Sequence, residues 1–437
     1  MFERIGGSLR NIMTSQLGLD RPSLALRVDA ALALLAGLVT GGFALWLFFK
    51  LDFALMLSAI DIWLDSDPAR IIASLQSRSS DAHFRSNVHP LWSVGVALPF
   101  VFLTSLVGVK AMTATYVAIS GAVFGAFVFA ALRLMGLQRL DTFLLLGLCL
   151  STSSAWLWLG IPETFALGAA SLLVPLIWLA APRGLHDRWT GPAQSLISFS
   201  ITITNWSAGI LAAFLALGLR RSVQTTIVAF AIAGFLAIVQ YRLFIESGAF
   251  LDVWSEHWAD YGLSGTLWQH AQTFFLSTIA APTPDLAAVD HTLSYEFGER
   301  YSRLQFSTPT ESPAGIVTLL LWYLIAARGV WAAANGAVQP KIALFVGAII
   351  GFNLILHALY GIETFLYAMH FLPFFTFVAA WSLLLPGPGR AIMRVAIVAA
   401  IALGSLHNLA LFNTMAEWHN SLPVEVFSSP SEVGASL

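Results

Sequence analysis

Two short stretches of this sequence carry most of its chemistry. The first reads Asp61-Ile-Trp-Leu-Asp65-Ser66-Asp67-Pro68-Ala-Arg70, followed by His83-Phe-Arg85-Ser-Asn-Val88-His89-Pro90-Leu91. Three carboxylates this close repel one another. The repulsion raises the pKa of one of them and suits it to take a proton from a hydroxyl. Asp67 is the first choice for that base, with Asp65 and Asp61 in reserve. The plainer reading is a solvated loop in which Ser66 or Asp67, ahead of Pro68, starts a helix. A carboxylate in that position is stabilised by the helix dipole, which weakens it as a base.

The second stretch reads His357-Ala-Leu-Tyr360-Gly-Ile-Glu363-Thr-Phe-Leu-Tyr367-Ala-Met-His370-Phe-Leu-Pro373. On a helix starting near Glu363, positions 363, 367 and 370 share one face. Ionisable groups at membrane depth are rare and usually functional. Glu363 beside His370 would favour the imidazolium. The plainer reading is a polar cluster that only bonds to itself. Glu163, Asn205, Asn353 and the pair His407-Asn408 are the other polar groups in apolar surroundings. Helix packing suits Asn205 and Asn353, and a helix dipole suits Glu163.

The elements that must position these groups follow from composition. Of 437 residues, 57% are hydrophobic and 11% charged, and the mean hydropathy is +0.77. Soluble domains are about 25% charged, so a soluble enzyme and a disordered chain are excluded. With 22 Lys and Arg against 24 Asp and Glu there is no basic stripe for nucleic acid. The single cysteine, Cys149, can form neither an intrachain disulfide nor a cysteine-based metal site. Carboxylates and histidines leave a divalent metal open, but no ligand spacing specifies one.

The fold class is therefore an all-α polytopic membrane protein, one transmembrane domain over 1–437. About 20 apolar residues cross a bilayer as a helix. That rule places about eleven spans, near 29–50, 90–108, 111–132, 142–160, 163–181, 195–217, 223–244, 314–333, 341–358, 364–385 and 394–412. The break at Gly160–Pro162 reads as a kink or re-entrant turn. Arg4, Arg10, Arg21 and Arg27 put the N-terminus in the cytoplasm, and the apolar run after Asp29 has no cleavage-site pattern. Two long loops, 51–89 and 245–312, then fall outside. The second is acidic, with nine Asp or Glu against Arg300 and Arg303. Their aromatic residues, Trp254, Trp258 and Trp268 among them, suit short amphipathic helices at the headgroup layer. The same parity puts Arg133, Arg139, Arg183 and Arg188 outside, against the positive-inside tendency. Gly37-xxx-Gly41 and Gly121-xxx-Gly125 suggest close helix contacts.

This arrangement resembles the GT-C superfamily of polytopic glycosyltransferases, which use polyprenyl-phosphate-linked sugars. Protein O-mannosyltransferases and the aminoarabinose transferases of lipid A are among its members. Val88-His89-Pro90-Leu91 is similar to the Pro-Pro-Leu or His-Pro-Pro-Leu that often opens the second span there, with one proline fewer. Tyr367-Ala-Met-His370-Phe-Leu-Pro373 occupies the place of an Arg-Tyr-x-x-Pro-like segment, with His370 where a cation is wanted. The resemblance implies a sugar transferase at the outer face of a bacterial cytoplasmic membrane. Its donor would be a polyprenyl-phosphate sugar and its acceptor a glycan, lipid or protein. A base from the first outer loop (Asp67, Asp65 or Asp61) would deprotonate the acceptor. Arg70, Arg85, His89 and His370 would hold the departing phosphate. Glu363, Tyr367, His83 and Trp258 would touch the substrate. A transporter or flippase is the competing class. It would place charges near the bilayer midplane and often shows paired repeats, and no repeat is evident here.

Overall fold

A computed structural model describes residues 21–57, 63–64, 66–248, 266–283, 310–359 and 364–422. These residues are mostly helical, joined by turns and short loops, with no strand among them. Among the described residues, seven helices are long and apolar enough to cross a membrane. They are α1 (Arg21–Phe48), α4 (Val109–Leu134), α10 (Leu219–Leu243), α12 (Pro313–Ala334), α13 (Pro340–Leu359), α14 (Ala368–Trp381, with the turn Thr364–Tyr367 before it) and α15 (Pro388–Ser421). Shorter helices fill the remainder: α2 (Pro68–Gln76), α3 (Leu98–Val107), α5 (Arg139–Leu150), α6 (Ser153–Trp158), α7 (Phe165–Ala180), α8 (Thr190–Ile201), α9 (Trp206–Leu217) and α11 (Leu267–Gln272). The chain is a helical membrane protein. Leu34, Leu38, Phe235 and Val395 are exposed apolar side chains on its long helices, as lipid contact requires.

The two glycine pairs of the sequence meet in a single interface. Gly37 and Gly41 of α1 lie against Ala122 and Ala118 of α4, while Gly121 and Gly125 of α4 lie against Ala44, Thr40 and Ala36 of α1. A Cβ on Gly41 would stand 2.6 Å from the Ala118 carbonyl oxygen, so these positions accept no side chain without separating the helices.

One end of the bundle is basic. Asp29 pairs with Arg133 at 2.8 Å and Arg139 at 2.7 Å. The fully buried Asp141 pairs with Arg390 and Arg394. Trp178 donates to Thr190 at this end, and Arg328 lies against Gly389. The opposite end carries the loops. Trp63 donates to the Leu157 carbonyl, Arg78 to that of Leu243 and Ser86 to that of Gly248. In the described part of the second loop, the Ile279 carbonyl accepts the N–H of Ser153 and the Ala281 N–H donates to Asn408 Oδ1. The described parts of both segments pack on this same end.

The order of spans differs from the sequence map in two places. Residues 93–107 form a π turn and α3, and this segment both begins and ends at the loop end. Trp92 donates to Ser74, Thr104 to the Leu75 carbonyl, and Lys110 just beyond it stands 5.9 Å over the Phe53 ring. The expected span at 90–108 does not cross. Conversely, the expected span at 195–217 is the hairpin α8–α9. Thr202 turns extended (φ −147°, ψ 127°), and Gln194 then reaches across to the Gly209 carbonyl. The first change reverses the direction of α4, α5 and α7, and the second restores the parity from α10 onward. Arg133 and Arg139 therefore stand at the same end as Asp29, and Arg188 joins them. Gly160–Pro162 is a loop at the loop end between α6 and α7, neither a kink nor a re-entrant turn.

Candidate functional site

The segment ahead of α2 reaches the bundle through one helix start. Pro68 sits at the first position of α2 and fixes its φ. Asp67 precedes it, but its side chain does not cap the helix. Asp67 instead pairs with Arg70 one turn on, Oδ2 to Nη2 at 2.8 Å. Its backbone N–H is taken by Glu163, whose Oε1 accepts it at 2.8 Å. The Oε2 atom accepts the N–H of Thr164, and the Tyr116 hydroxyl donates to the Glu163 carbonyl at 2.7 Å. Burial pushes the Glu163 carboxyl up. Arg70 pulls it down, Asp67 beside it pushes it up again, and the two N–H groups lower it.

Arg70 is only partly satisfied. Its Nε and Nη1 atoms are buried with no hydrogen-bond partner. Two donor nitrogens of a guanidinium left without an acceptor are costly unless a ligand supplies one.

His89 stands beyond the 3-10 turn Asp81–Asn87. Its Nδ1 lies 2.7 Å from the Ile201 carbonyl oxygen. Its pKa is pushed down to about 3, first by burial, then by the charges of Arg85 and Arg70, with His370 adding a smaller push. These four groups come from three separate segments, yet each is within electrostatic reach of His89.

His370 lies in the first turn of α14 and is buried, with Nε2 unpartnered. Gly168 of α7 makes room for it, since a Cβ there would collide with Nε2. Phe165 and Tyr367 stand around the ring at 6.2 and 6.3 Å between centroids. Behind them Tyr367 stacks on His357 at 4.2 Å and 9°. Neither ring nitrogen of His357 has a partner. His270 of α11 reaches in from the second loop, its Nδ1 2.6 Å from Thr364 Oγ1.

Of the residues singled out in the sequence, Asp67, Arg70, Arg85, His89, Tyr367 and His370 gather around this end of α2, α7 and α14. Asp61, Asp65, Glu363 and Trp258 lie outside the described residues. His83 stands apart from its expected role. It is buried, with Nδ1 2.8 Å from Ser93 Oγ and Nε2 2.8 Å from the Ser77 carbonyl. Both nitrogens are spent on the protein, leaving none for a substrate.

Glu163, Tyr116, His270 and His357 belong to the cluster but were not among the expected site residues. Glu163 had a signal, an acid in the apolar run Gly160-Ile-Pro-Glu-Thr, yet its partner lies 96 residues away. Asn205 does pack as expected, donating to the Gly168 carbonyl and Ser171. Among the described residues no group of three or more His, Cys, Asp or Glu is placed to hold a metal ion. No family model, curated protein or solved structure matches this chain.

Proposed function

We propose that this chain is an integral-membrane glycosyltransferase of the GT-C type. In this reading it moves a sugar from a polyprenyl-phosphate donor to a glycan, lipid or protein acceptor at the outer face of a bacterial cytoplasmic membrane. One observation carries the reading. Arg70, Arg85, His89 and His370 converge from three segments at the loop end, and Arg70 keeps two buried donor nitrogens without an acceptor. An anionic headgroup at the membrane surface answers that arrangement, and a guanidinium fork suits phosphate.

The orientation rests on charge. Arg133, Arg139, Arg188, Arg328, Arg390 and Arg394 share the basic end, and positive residues favour the cytoplasm. The loop end then faces outward. Three of the four arginines that the sequence map left outside, Arg133, Arg139 and Arg188, thus stand at the basic end.

Asp67 is the proposed base. It takes the proton of the acceptor hydroxyl as that oxygen bonds to the anomeric carbon. The bond from that carbon to the phosphate oxygen breaks, and its electron pair leaves with the phosphate. Arg70 turns from Asp67 toward the phosphate. Arg85 and His370 complete the phosphate site. Transport is less favoured, because the charged side chains among the described residues stand at the two ends of the long helices and not at mid-length.

The test is mass spectrometry of glycans and lipid-linked sugars in cells lacking the chain. The reading expects a polyprenyl-phosphate sugar to accumulate and one glycan to lose a residue. Unchanged pools of both would sink it.

A further inference from the structure

His89 is held by its backbone on both sides. Leu91 N–H donates to the Ser200 carbonyl and Ile203 N–H to the Val88 carbonyl, each at 3.0 Å. The break at Thr202 leaves the Ile201 carbonyl free of the helix ladder, and it faces His89 Nδ1 at 2.7 Å. A carbonyl only accepts, so Nδ1 carries the hydrogen. A neutral imidazole has one N–H, and Nε2 therefore holds a lone pair. Nε2 makes no hydrogen bond to the described residues.

The neighbours oppose a second proton. Arg85 on its own segment, Arg70 from α2 and His370 from α14 all act against the imidazolium, and α8 presents only the Ile201 carbonyl. A lone pair repels a phosphate oxygen but accepts a hydroxyl hydrogen. The expected phosphate role of His89 is thus reversed.

We propose that His89 Nε2 is the seat of a sugar hydroxyl, while Arg70 and Arg85 hold the phosphate. The division rests on the lipid-phosphate reading above. It assigns His89 to recognition of the sugar, so the residue sets which hydroxyl pattern fits.

Two measurements decide it. The first is imidazole nitrogen-15 NMR of histidine-labelled protein, with His89→Gln identifying the signal. The neutral Nδ1–H tautomer should persist from about pH 8 to about pH 5.5. An Nε2–H tautomer, or an imidazolium near neutral pH, overturns the proposal. The second is binding of decyl phosphate and of decyl phosphates bearing glucose, galactose or mannose. Arg70→Gln and Arg85→Gln should weaken decyl phosphate about tenfold or more, and His89→Ala by less than about twofold. At least one sugar should tighten binding to the wild type, and His89→Ala should abolish that gain. A gain retained in His89→Ala, or no gain with any of the three sugars, overturns the proposal. If the wild type binds no decyl phosphate, the lipid-phosphate reading falls, and the NMR result alone still decides the lone pair.

Discussion

Glu163 Oε1 accepts the backbone N–H of Asp67 at 2.8 Å, so one carboxylate in the α6–α7 loop fixes where the α2 segment enters the bundle. The side chain of Asp67 pairs with Arg70. Removing the acceptor strands two N–H groups, those of Asp67 and Thr164. Each stranded group costs about 1–3 kcal/mol when buried. Glu163→Ala should lower the melting temperature in detergent, read by tryptophan fluorescence. Glu163→Gln keeps an oxygen at Oε1 and should lose less. Equal melting of all three proteins would remove this link from the account.

Asp67→Asn keeps the shape of the side chain but cannot take a proton. Transfer in membranes should fall about 100-fold or more, the usual scale for a lost general base. Its thermal stability should change little, because a partly exposed ion pair contributes about 0–1 kcal/mol. Near-normal transfer in this variant would move the base to Asp65 or Asp61, and normal transfer in all three Asn variants would exclude the loop carboxylates.

Gly168→Ala places a methyl group against His370 Nε2. The ring must turn away. Decyl phosphate should bind about tenfold more weakly if His370 lends its nitrogen to the phosphate. Unaltered binding would show that His370 only fills space beside Phe165 and Tyr367.

The pH dependence of stability has opposing parts. Burial lowers the pKa of His83 below 6.5, with the Ser77 bond opposing it, so the folded state resists protonation that the unfolded chain accepts. Its contribution is fully present above pH 6.5 and is lost as pH falls below that value. Glu163 runs the other way. Its raised folded pKa favours the protonated form, so its contribution declines as pH rises from 4.5 through the folded value. His83→Gln should flatten the melting-temperature profile on the acid side of neutrality. A profile as steep as wild type would assign the acid loss elsewhere.

The reordered topology is open to labelling. With Cys149 replaced by Ala, single cysteines at Ser79 and Lys110 should react from the same side of the membrane, and one at Arg188 from the other. Labelling of Ser79→Cys and Lys110→Cys from opposite sides would restore a crossing at 90–108.

The helices were legible because apolar runs of span length have no other use in such a composition. Gly37, Gly41, Gly121 and Gly125 showed close packing, though not that the two pairs face each other. The α8–α9 hairpin was hidden because both halves are apolar, and only Thr202–Asn205 marks the turn. The segment 93–107 was apolar enough to pass as a span, and its return to the loop end depends on Ser74, Leu75 and Phe53, which hydropathy does not weigh. Asp67, Arg70, Arg85, His89 and His370 stood out because ionisable groups are few here. Glu163 was recognised as unusual but not joined to Asp67, since nothing local in sequence links them. His83 was misjudged for the same reason: Ser77 and Ser93 satisfy both its nitrogens, and serines that close carry no signal of their own.

The most direct test of sugar transfer uses the purified full chain in liposomes loaded with lipid-linked sugars from the native membrane. Free polyprenyl phosphate released over time is measured by mass spectrometry. The account predicts release with the wild type, and release reduced to background with Asp67→Asn and Arg70→Gln. No release with the wild type, or equal release from all three proteins, would contradict it.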